Sequence, residues 1–476
     1  MTPPDGTQVA ATPTRRKRGR AASVANAPVA LGWVDAAEVG ARTLSPHAGL
    51  ETGIDTGPYT AVEAPDLLAR PPRRSPLRPG VLVPIGIVTA LAGTYSATTL
   101  LWPLYAVTPT VTPLTITAVA TPTAAMPWPD EGSAAVSIAG IDGTLSSSDD
   151  VVPMASVTKV VTALLVLDEM PLALGEQGPD YRFTAADSAA YWDYLRNDES
   201  ALDVPAGGVL TQYQLLEGML MGSAGNYADR LASTIWPNDA LFARAAESWL
   251  ELHGVPGITV VEPTGIDPDN ESSAEALVPL AQLALANPVI ADIVAQRAVD
   301  LPGAGEVVNT NGLLADPGML GVKTGQLRDD WNLLSAKQID VAGTPVRAFA
   351  AVLTQPDDDT RLAVSRDLYA EIERSLQPVP SVTNGTLAGT VTTEWGESVD
   401  ILTSADAELI PWNGSAGTVT TAFALGDERD EGAIVGSVNA VGPLDSATVD
   451  LVLASDVEAP TAWWRLTHPL QLFGLD

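Results

Sequence analysis

Several residue types that often carry chemistry are rare or absent in this chain of 476 residues. It has no cysteine, which excludes disulfides, thiolate metal sites, cysteine nucleophiles and a lipidated cysteine. Its three histidines, His47, His253 and His468, do not favour a clustered metal site or a Ser-His-Asp triad. If the chain is an enzyme, its general base belongs to another residue type.

Positive charge is also scarce. The chain has 25 Lys and Arg against 58 Asp and Glu, a net charge of −33, which excludes a general nucleic-acid binder because phosphates require basic patches. Residues 1–80 carry ten basic against seven acidic residues, a net +3, and the other 396 residues carry 15 against 51, a net −36. This asymmetry indicates that the two parts lie in different compartments.

No charged residue lies between Arg78 and Asp130, and residues 81–102 form an apolar run. As a helix this run is about 33 Å long, which is enough to span a bilayer. Arginines precede it, so the positive-inside rule predicts a single-pass protein of the cell membrane with a cytoplasmic N-terminus and an extracellular remainder. A buried core helix is the alternative, and about 80 preceding residues disfavour a cleaved signal peptide.

Composition divides the rest of the chain into segments. Residues 1–80 are predicted to be disordered, and the Pro- and Thr-rich residues 103–129 to form an extended stalk. Residues 130–378 contain interleaved helix and strand patterns, which favour a mixed α/β fold. Short Thr- and Val-rich runs broken by turn residues predict a separate small all-β domain over residues 379–476.

Within the mixed segment, residues 133–149 predict a strand hairpin. The apolar run at 156–170 predicts a buried helix without glycine or proline. Further helices are predicted at 211–236, 239–253, 274–286 and 360–376, and a strand pair at 331–337 and 346–354.

Ser156 and Lys159 form S-x-x-K, and helical spacing places the hydroxyl and the amine on one face. A neutral, buried lysine can take the proton of such a serine. The only lysines after the apolar run are Lys159, Lys323 and Lys337. This scarcity strengthens the interpretation of Lys159 as the base of Ser156. Taken alone, the motif also fits a helix-start serine with an unrelated lysine.

Two further motifs follow in order. Ser223 lies in the sequence MLMGSAGNYADRLA, and Lys323, Thr324 and Gly325 form K-T-G. S-x-x-K, an S-x-N-like element and K-T-G together are the motif set of the penicillin-recognising serine enzymes. Each motif alone is weak, but their order in one exported chain makes coincidence a minor possibility.

With these motifs the chain resembles the serine-type D-alanyl-D-alanine carboxypeptidases, the low-molecular-mass penicillin-binding proteins of peptidase family S11. The resemblance covers about residues 127–378 and includes MASVTKVVTALLVLD, VEPTGIDPDNESSAEAL and NTNGLLADPGMLGVKTG. The tail is similar to the β-rich C-terminal part of actinobacterial members. The resemblance implies a β-lactamase-like transpeptidase fold, with an antiparallel sheet flanked by helices.

The resemblance also implies the roles of the motif residues. Ser156 would be the nucleophile, Lys159 its base and Ser223 a proton relay toward the leaving D-alanine. Lys323 and Thr324 would bind the terminal carboxylate of the substrate. The backbone N–H of Gln326, directly after Gly325, would complete the oxyanion hole with that of Ser156.

No metal or organic cofactor is expected. The run Asp267, Asp269, Asn270 and Glu271 lacks the spacing of a twelve-residue EF-hand loop and fits a turn with a helix cap. The expected partners are the D-Ala-D-Ala end of a peptidoglycan stem peptide, β-lactams as inhibitors and the membrane. The sequence does not define the oligomeric state.

One motif departs from the family pattern. Ser223 and Ala224 are followed by Gly225 where the family has asparagine, and Asn226 comes one place later. Either Asn226 binds substrate through a local backbone shift, or the amide contact is lost and turnover suffers. The alternatives to a carboxypeptidase are therefore a weak or silent penicillin-binding protein of the same fold, a serine β-lactamase and a structural wall protein.

Overall fold

The computed structural model describes residues 79–475, so the segment predicted to be disordered lies almost wholly outside the described residues. The helices of the described part are α1 (Pro79–Leu101), α2 (Thr158–Glu169), α3 (Ala185–Arg196), α4 (Gln212–Met221), α5 (Gly225–Ile235), α6 (Asp239–Leu252), α7 (Ala274–Ala286), α8 (Pro288–Ala295), α9 (Asp358–Ser375), α10 (Ala462–Thr467) and α11 (Pro469–Phe473). Short 3-10 helices cover Leu104–Ala106, Ala155–Val157 and Gly312–Ala315.

The strands between and after these helices are β1 (Thr110–Pro113), β2 (Ser133–Ile138), β3 (Leu145–Ser146), β4 (Val152–Pro153), β5 (Asp180–Arg182), β6 (Val209–Thr211), β7 (Ile258–Thr259), β8 (Glu271–Ser272), β9 (Ala298–Leu301), β10 (Gly305–Val308), β11 (Met319–Leu327), β12 (Asp330–Val341), β13 (Thr344–Gln355), β14 (Val379–Val382), β15 (Leu387–Thr392), β16 (Ser398–Thr403), β17 (Ala407–Leu409), β18 (Thr418–Phe423), β19 (Ile434–Val441) and β20 (Ser446–Leu453).

The central element is an antiparallel five-stranded sheet in the order β11-β12-β13-β2-β3. Side chains of a strand alternate between the two faces, and β13 shows this directly. Ala350 and Val352 join the core that includes α9, whereas Ala351 and Leu353 join the larger core that includes α2, α4 and α7. This layering confirms the predicted mixed α/β fold with an antiparallel sheet flanked by helices.

Helix α2 lies inside the larger core and is buried from Thr158 through Leu167. Its apolar composition and lack of glycine or proline suit a helix that contacts protein on nearly every side. The helix therefore carries Lys159 into a poorly solvated interior.

The predicted long helix over 211–236 is instead two helices, α4 and α5. The break contains Ser223, whose φ of 59° is left-handed and incompatible with a continuous right-handed helix. This turn places the motif serine at the junction between the helices.

The C-terminal part forms a second antiparallel sheet in the order β1-β15-β16-β20-β19-β18, with its own apolar core. Strands β14 and β17 form a separate pair. The prediction of an all-β domain over residues 379–476 did not include the two short helices α10 and α11.

The segment 103–129, predicted to be an extended stalk, packs on the folded part of the molecule. Its β1 pairs with β15, with Val111 opposite Val391, and Met126 is buried in the core that includes α9. The Pro- and Thr-rich composition suggested a spacer, but the Thr and Val residues within it also suit an edge strand. Only a pairing partner distant in sequence distinguishes the two.

Helix α1 is exposed along nearly its whole length, and α10 and α11 lie at its C-terminal end. The Tyr95 hydroxyl donates to the Leu466 carbonyl (2.6 Å), and Arg465 donates through Nη1 to the Trp102 carbonyl (2.8 Å). By length and composition α1 is able to cross a membrane.

Candidate active site

The predicted nucleophile and base are in contact. Ser156 lies in the 3-10 helix Ala155–Val157 directly before α2, and Lys159 lies in the first turn of α2. Lys159 Nζ donates to Ser156 Oγ (2.8 Å) and to the Thr264 carbonyl oxygen (2.5 Å). The side chain is 1% exposed, so the amine has protein rather than water as its surroundings.

Burial lowers the pKa of Lys159 from its ordinary value to about 8, because an ammonium ion is poorly solvated in the interior. The carboxylates of Glu262, Asp229 and Glu199 oppose this shift by stabilising the charged form. With a pKa of about 8, about one lysine in ten is neutral at pH 7, against fewer than one in a thousand for an ordinary lysine. The site thus supplies an amine that can accept a proton near neutral pH.

The second hydrogen-bond acceptor of Lys159, the Thr264 carbonyl oxygen, lies in a tight turn after β7. The Glu262 carboxylate accepts hydrogen bonds from the backbone N–H groups of Thr264 (2.6 Å), Gly265 (2.5 Å) and Ile266 (2.9 Å). It also accepts from Asn270 Nδ2 (2.6 Å). These bonds fix the turn whose Thr264 carbonyl contacts the lysine, a role of Glu262 that the sequence analysis did not identify.

Gly265 brings this turn against the nucleophile segment. Its φ is +77°, and a Cβ placed on it would lie 2.0 Å from the carbonyl oxygen of Ala155. Only glycine allows both the left-handed backbone and this close approach. The neighbouring Asn270 and Asp267 form hydrogen bonds within the turn, and no group of His, Asp and Glu that could hold a metal ion occurs among residues 79–475.

The K-T-G residues lie on β11, which passes on the other side of Ser156. A Cβ on Gly325 would lie 2.8 Å from the Met154 carbonyl oxygen, so glycine again permits contact between two backbones. The neighbouring residue Gln326 is exposed. The K-T-G strand therefore lies directly against the nucleophile segment.

Lys323 is 1% exposed, and its Nζ donates to the Thr324 carbonyl oxygen (3.0 Å). Burial holds its pKa well below the usual range, and the positive charges of Lys159 and Arg361 add to the effect. The Thr324 hydroxyl is 2.6 Å from the hydroxyl of Thr310, which orients it.

Arg361 was missed in the sequence because it lies in α9, far from every motif. Its Nη1 donates to the carbonyl oxygens of Gly325 (3.0 Å) and Asn332 (2.9 Å), and its guanidinium stacks 4.8 Å from the Trp331 ring centroid. Its Nη2 also pairs with Asp358 (2.6 Å), so a buried guanidinium held in an ion pair contacts the K-T-G strand.

These elements surround one cleft of about 790 Å³. Its lining includes residues from all three motifs and from other segments of the chain: Ser156, Lys159, Asn197, Asp198, Glu199, Ser200, Ser223, Gly265, Thr310, Thr324, Gly325, Gln326, Trp331 and Arg361. The structure thus brings Ser156, Lys159, Ser223 and the K-T-G strand together.

Asn226 is not among the residues that line this cleft. Its side chain accepts from Leu202 N–H (3.1 Å) and donates to the Leu202 carbonyl oxygen (2.8 Å). Because both ends of the amide are already bonded to backbone, this geometry does not support the predicted contact between Asn226 and substrate.

Comparison with known proteins identifies the family of the chain. The family model for D-alanyl-D-alanine carboxypeptidases, peptidase S11, matches residues 144–338. The D-alanyl-D-alanine carboxypeptidase DacB2 of Mycobacterium tuberculosis is 31% identical over 215 residues, which are 43% of this chain and 69% of that protein. The chain therefore belongs to the S11 family, and it is a serine peptidase of the D-alanyl-D-alanine carboxypeptidase class.

Solved structures with a similar course of the chain include a D-alanyl-D-alanine carboxypeptidase from Mycobacterium tuberculosis H37Rv, at 24% identity and a TM-score of 0.45. That match covers 52% of this chain and 94% of the other. Penicillin binding protein 5 from Haemophilus influenzae matches at 18% identity and a TM-score of 0.48, covering 74% of this chain and all of the other.

Proposed function

We propose that this chain removes the terminal D-alanine from peptidoglycan stem peptides through an acyl-enzyme on Ser156. The observation that carries the proposal is the 2.8 Å contact between Ser156 Oγ and a buried Lys159 in the cleft bordered by K-T-G. In this proposal the neutral lysine takes the serine proton while Oγ attacks the carbonyl carbon of the penultimate D-alanine.

The attack places negative charge on the carbonyl oxygen of the substrate. The backbone N–H groups of Ser156 and Gln326 are proposed to donate to it, which stabilises the tetrahedral intermediate. The C–N bond then breaks, and the leaving amine receives a proton from Lys159 through the hydroxyl of Ser223. Water hydrolyses the resulting ester, which releases the shortened peptide and restores Ser156.

The carboxylate of the terminal D-alanine is proposed to bind at the K-T-G strand. The Thr324 hydroxyl supplies a directed hydrogen bond. Burial lowers the pKa of Lys323, and this lysine is proposed to gain its positive charge when the substrate carboxylate binds beside it. Arg361, which pairs with Asp358 at 2.6 Å, contacts the same strand through the Gly325 carbonyl oxygen.

Reaction with a penicillin tests the proposal because a β-lactam carbonyl would acylate the same serine. The intact mass of the protein should rise by one penicillin after incubation, and the Ser156→Ala variant should remain unmodified. An unmodified wild-type protein would contradict the assignment of the nucleophile.

We also propose that α1 anchors the chain in the cell membrane with the catalytic part outside. Support comes from its uncharged, exposed surface and from the exposed aromatic residues Trp102, Tyr105 and Trp463 near its C-terminal end, a composition typical of the membrane interface. Protease added to intact cells should remove a C-terminal tag and spare an N-terminal one. The reverse pattern would overturn this topology.

A weakly active penicillin-binding protein of the same fold is the second candidate. The observation that favours it is the lack of a substrate-facing amide at Gly225 and Asn226, since an unpaired buried amide of the substrate costs about 1 to 3 kcal/mol. Turnover of a D-Ala-D-Ala peptide separates the candidates, and rapid penicillin hydrolysis would instead indicate a serine β-lactamase.

A further inference from the structure

The departure in the second motif has a physical counterpart at Gly225. A Cβ placed on this residue would lie 2.6 Å from Cε1 and 3.3 Å from Cδ1 of the Tyr194 ring. Ordinary carbon contacts are about 3.5 to 4.0 Å, so no side chain fits at position 225 while the ring stays in place. The tyrosine ring occupies the space that the side chain of a motif asparagine needs.

The ring is held from its far end. The Tyr194 hydroxyl donates to the carboxylate of Asp229, one helical turn after Gly225 on α5. Burial raises the pKa of Asp229, and the tyrosine hydrogen bond opposes that shift. The last turn of α3 is therefore fixed to the second turn of α5.

The segment that follows α3, residues 197–203, forms one wall of the cleft, which we call the cleft wall. Asn197, Asp198, Glu199 and Ser200 of this wall line the cleft beside Ser156 and Ser223. The wall contains neither helix nor strand, and its Asp198 has a left-handed φ of 61°. Its shape therefore depends on contacts with other elements.

The first three residues of α5 supply those contacts, each to a different residue of the wall. Gly225 N–H donates to the Ser200 carbonyl (2.8 Å), and the Asn226 side chain forms both of its bonds with Leu202. The Tyr227 hydroxyl donates to the Asp203 carbonyl (2.7 Å). Four hydrogen bonds thus join consecutive residues of α5 to the backbone of the wall.

We propose that in this chain the start of α5 fixes the cleft wall instead of contacting substrate. Asn226 and Tyr194 are positioning residues, and the wall residues Glu199 and Ser200 contact the peptide on this side of the cleft. The expected effects on kinetics rest on the proposed carboxypeptidase function, whereas the expected effects on the structure of the wall do not. Without the hydrogen bonds from α5, the wall would be loose and would have to be ordered when peptide binds. Losing these bonds therefore weakens peptide binding more than it slows the chemical step.

The first test uses Asn226→Ala in the full-length, detergent-solubilised protein. Hydrogen exchange of residues 197–203 should rise about tenfold or more, because the wall opens more often. The KM for a D-Ala-D-Ala peptide should rise about five- to twentyfold, with kcat changed less than about threefold. Asn226→Asp, which can still accept from Leu202 N–H, should give intermediate values.

Asn238→Ala is the matched control. Asn238 caps α6 by accepting from Leu241 N–H (3.1 Å) and is not among the residues that line the cleft, so its removal should raise exchange only at the start of α6. If Asn226→Ala lowers turnover while exchange of the wall is unchanged, Asn226 contacts substrate and the proposal is wrong. If neither quantity changes, the wall does not depend on α5 and the proposal is equally wrong.

The second test addresses the tyrosine ring. Gly225→Asn should lower turnover because the new side chain collides with Tyr194, and the double variant Tyr194→Ala/Gly225→Asn should be more active than Gly225→Asn alone. A Gly225→Asn single variant as active as the wild type would overturn the assignment. If the wild type cleaves no peptide at all, the proposed function fails, whereas hydrogen exchange of the wall still decides this inference.

Discussion

The side of the cleft that carries Ser156 and the side formed by residues 197–203 differ in what fixes them. Around Ser156, backbones touch directly where Gly265 and Gly325 leave no side chain between them. The other side is an irregular segment attached by hydrogen bonds from the start of α5. Ser156 is therefore held by direct packing of backbones, whereas the position of residues 197–203 depends on a few hydrogen bonds.

The largest effect is expected from removing Lys159, the proposed base, on the side of the cleft that carries Ser156. Lys159→Ala should slow acylation by penicillin about 10²- to 10⁴-fold, the usual contribution of a general base. Lys337→Ala is a suitable control because this lysine pairs with Glu373 at 2.6 Å, outside the cleft lining. Stopped-flow or quenched acylation rates measure both, and equal rates for the two variants would remove Lys159 from the mechanism.

The next effect concerns contact between backbones. Gly265→Ala should lower the thermal midpoint and slow acylation at least tenfold, since its Cβ would overlap the Ala155 carbonyl. Gly254 shares the left-handed backbone, with φ of +68°, but a Cβ there meets nothing within 4 Å. Gly254→Ala should therefore show only the conformational cost, about 1 kcal/mol, and leave acylation unchanged.

Thermal unfolding and penicillin acylation of these two glycine variants form one experiment. If both lose the same stability and both keep the wild-type acylation rate, direct backbone contact does not position Ser156. The contrast drawn between the two sides of the cleft would then fail.

A smaller effect is expected when the carboxylate of the Thr264 turn loses its charge. Burial lowers the pKa of Lys159 to about 8, and Glu262 opposes that change. Glu262→Gln should therefore lower this pKa further, so that the acid limb of the pH profile for acylation moves to lower pH. The maximal rate should fall about three- to tenfold because an amide cannot accept all the hydrogen bonds of the turn.

Asp269→Asn removes a carboxylate of the same turn that is not among the groups shifting the pKa of Lys159, so its acid limb should stay in place. A Glu262→Gln profile that moves toward higher pH would contradict the assigned electrostatic role.

The smallest effect is expected from a single hydroxyl contact. Thr310→Val removes the partner of the Thr324 hydroxyl at 2.6 Å, which should reduce kcat/KM for the peptide about fivefold, the value of one neutral hydrogen bond. Thr310→Ser keeps the hydroxyl and should restore most of the activity. If valine and serine variants behave alike, the contact does not orient Thr324.

The sequence predicted the parts of the site that are local. Ser156 and Lys159 are three residues apart, so helical geometry alone brings them together. The K-T-G residues are consecutive and lie on one strand, β11. The prediction failed at the second motif, where one long helix was expected and a left-handed Ser223 divides it. A single backbone dihedral of this kind leaves no periodic signal in a sequence.

Other parts of the site depend on residues distant in the chain. Nothing near Asn226 in the sequence indicates that Leu202 takes both of its hydrogen bonds, and nothing in α9 indicates that Arg361 lies beneath Gly325. The Pro- and Thr-rich segment likewise gave no sign that β1 pairs with β15.

The sequence by itself determined which groups are available: a serine three residues before a lysine, a K-T-G motif, no thiol and an apolar span ahead of an acidic remainder. Only the tertiary structure decided how much of the lysine is neutral, because its pKa depends on burial and on Glu262, more than 100 positions away. It also decided that Asn226 binds backbone and not the cleft. Composition and periodicity report local geometry, whereas desolvation and hydrogen-bond competition arise only when distant segments meet.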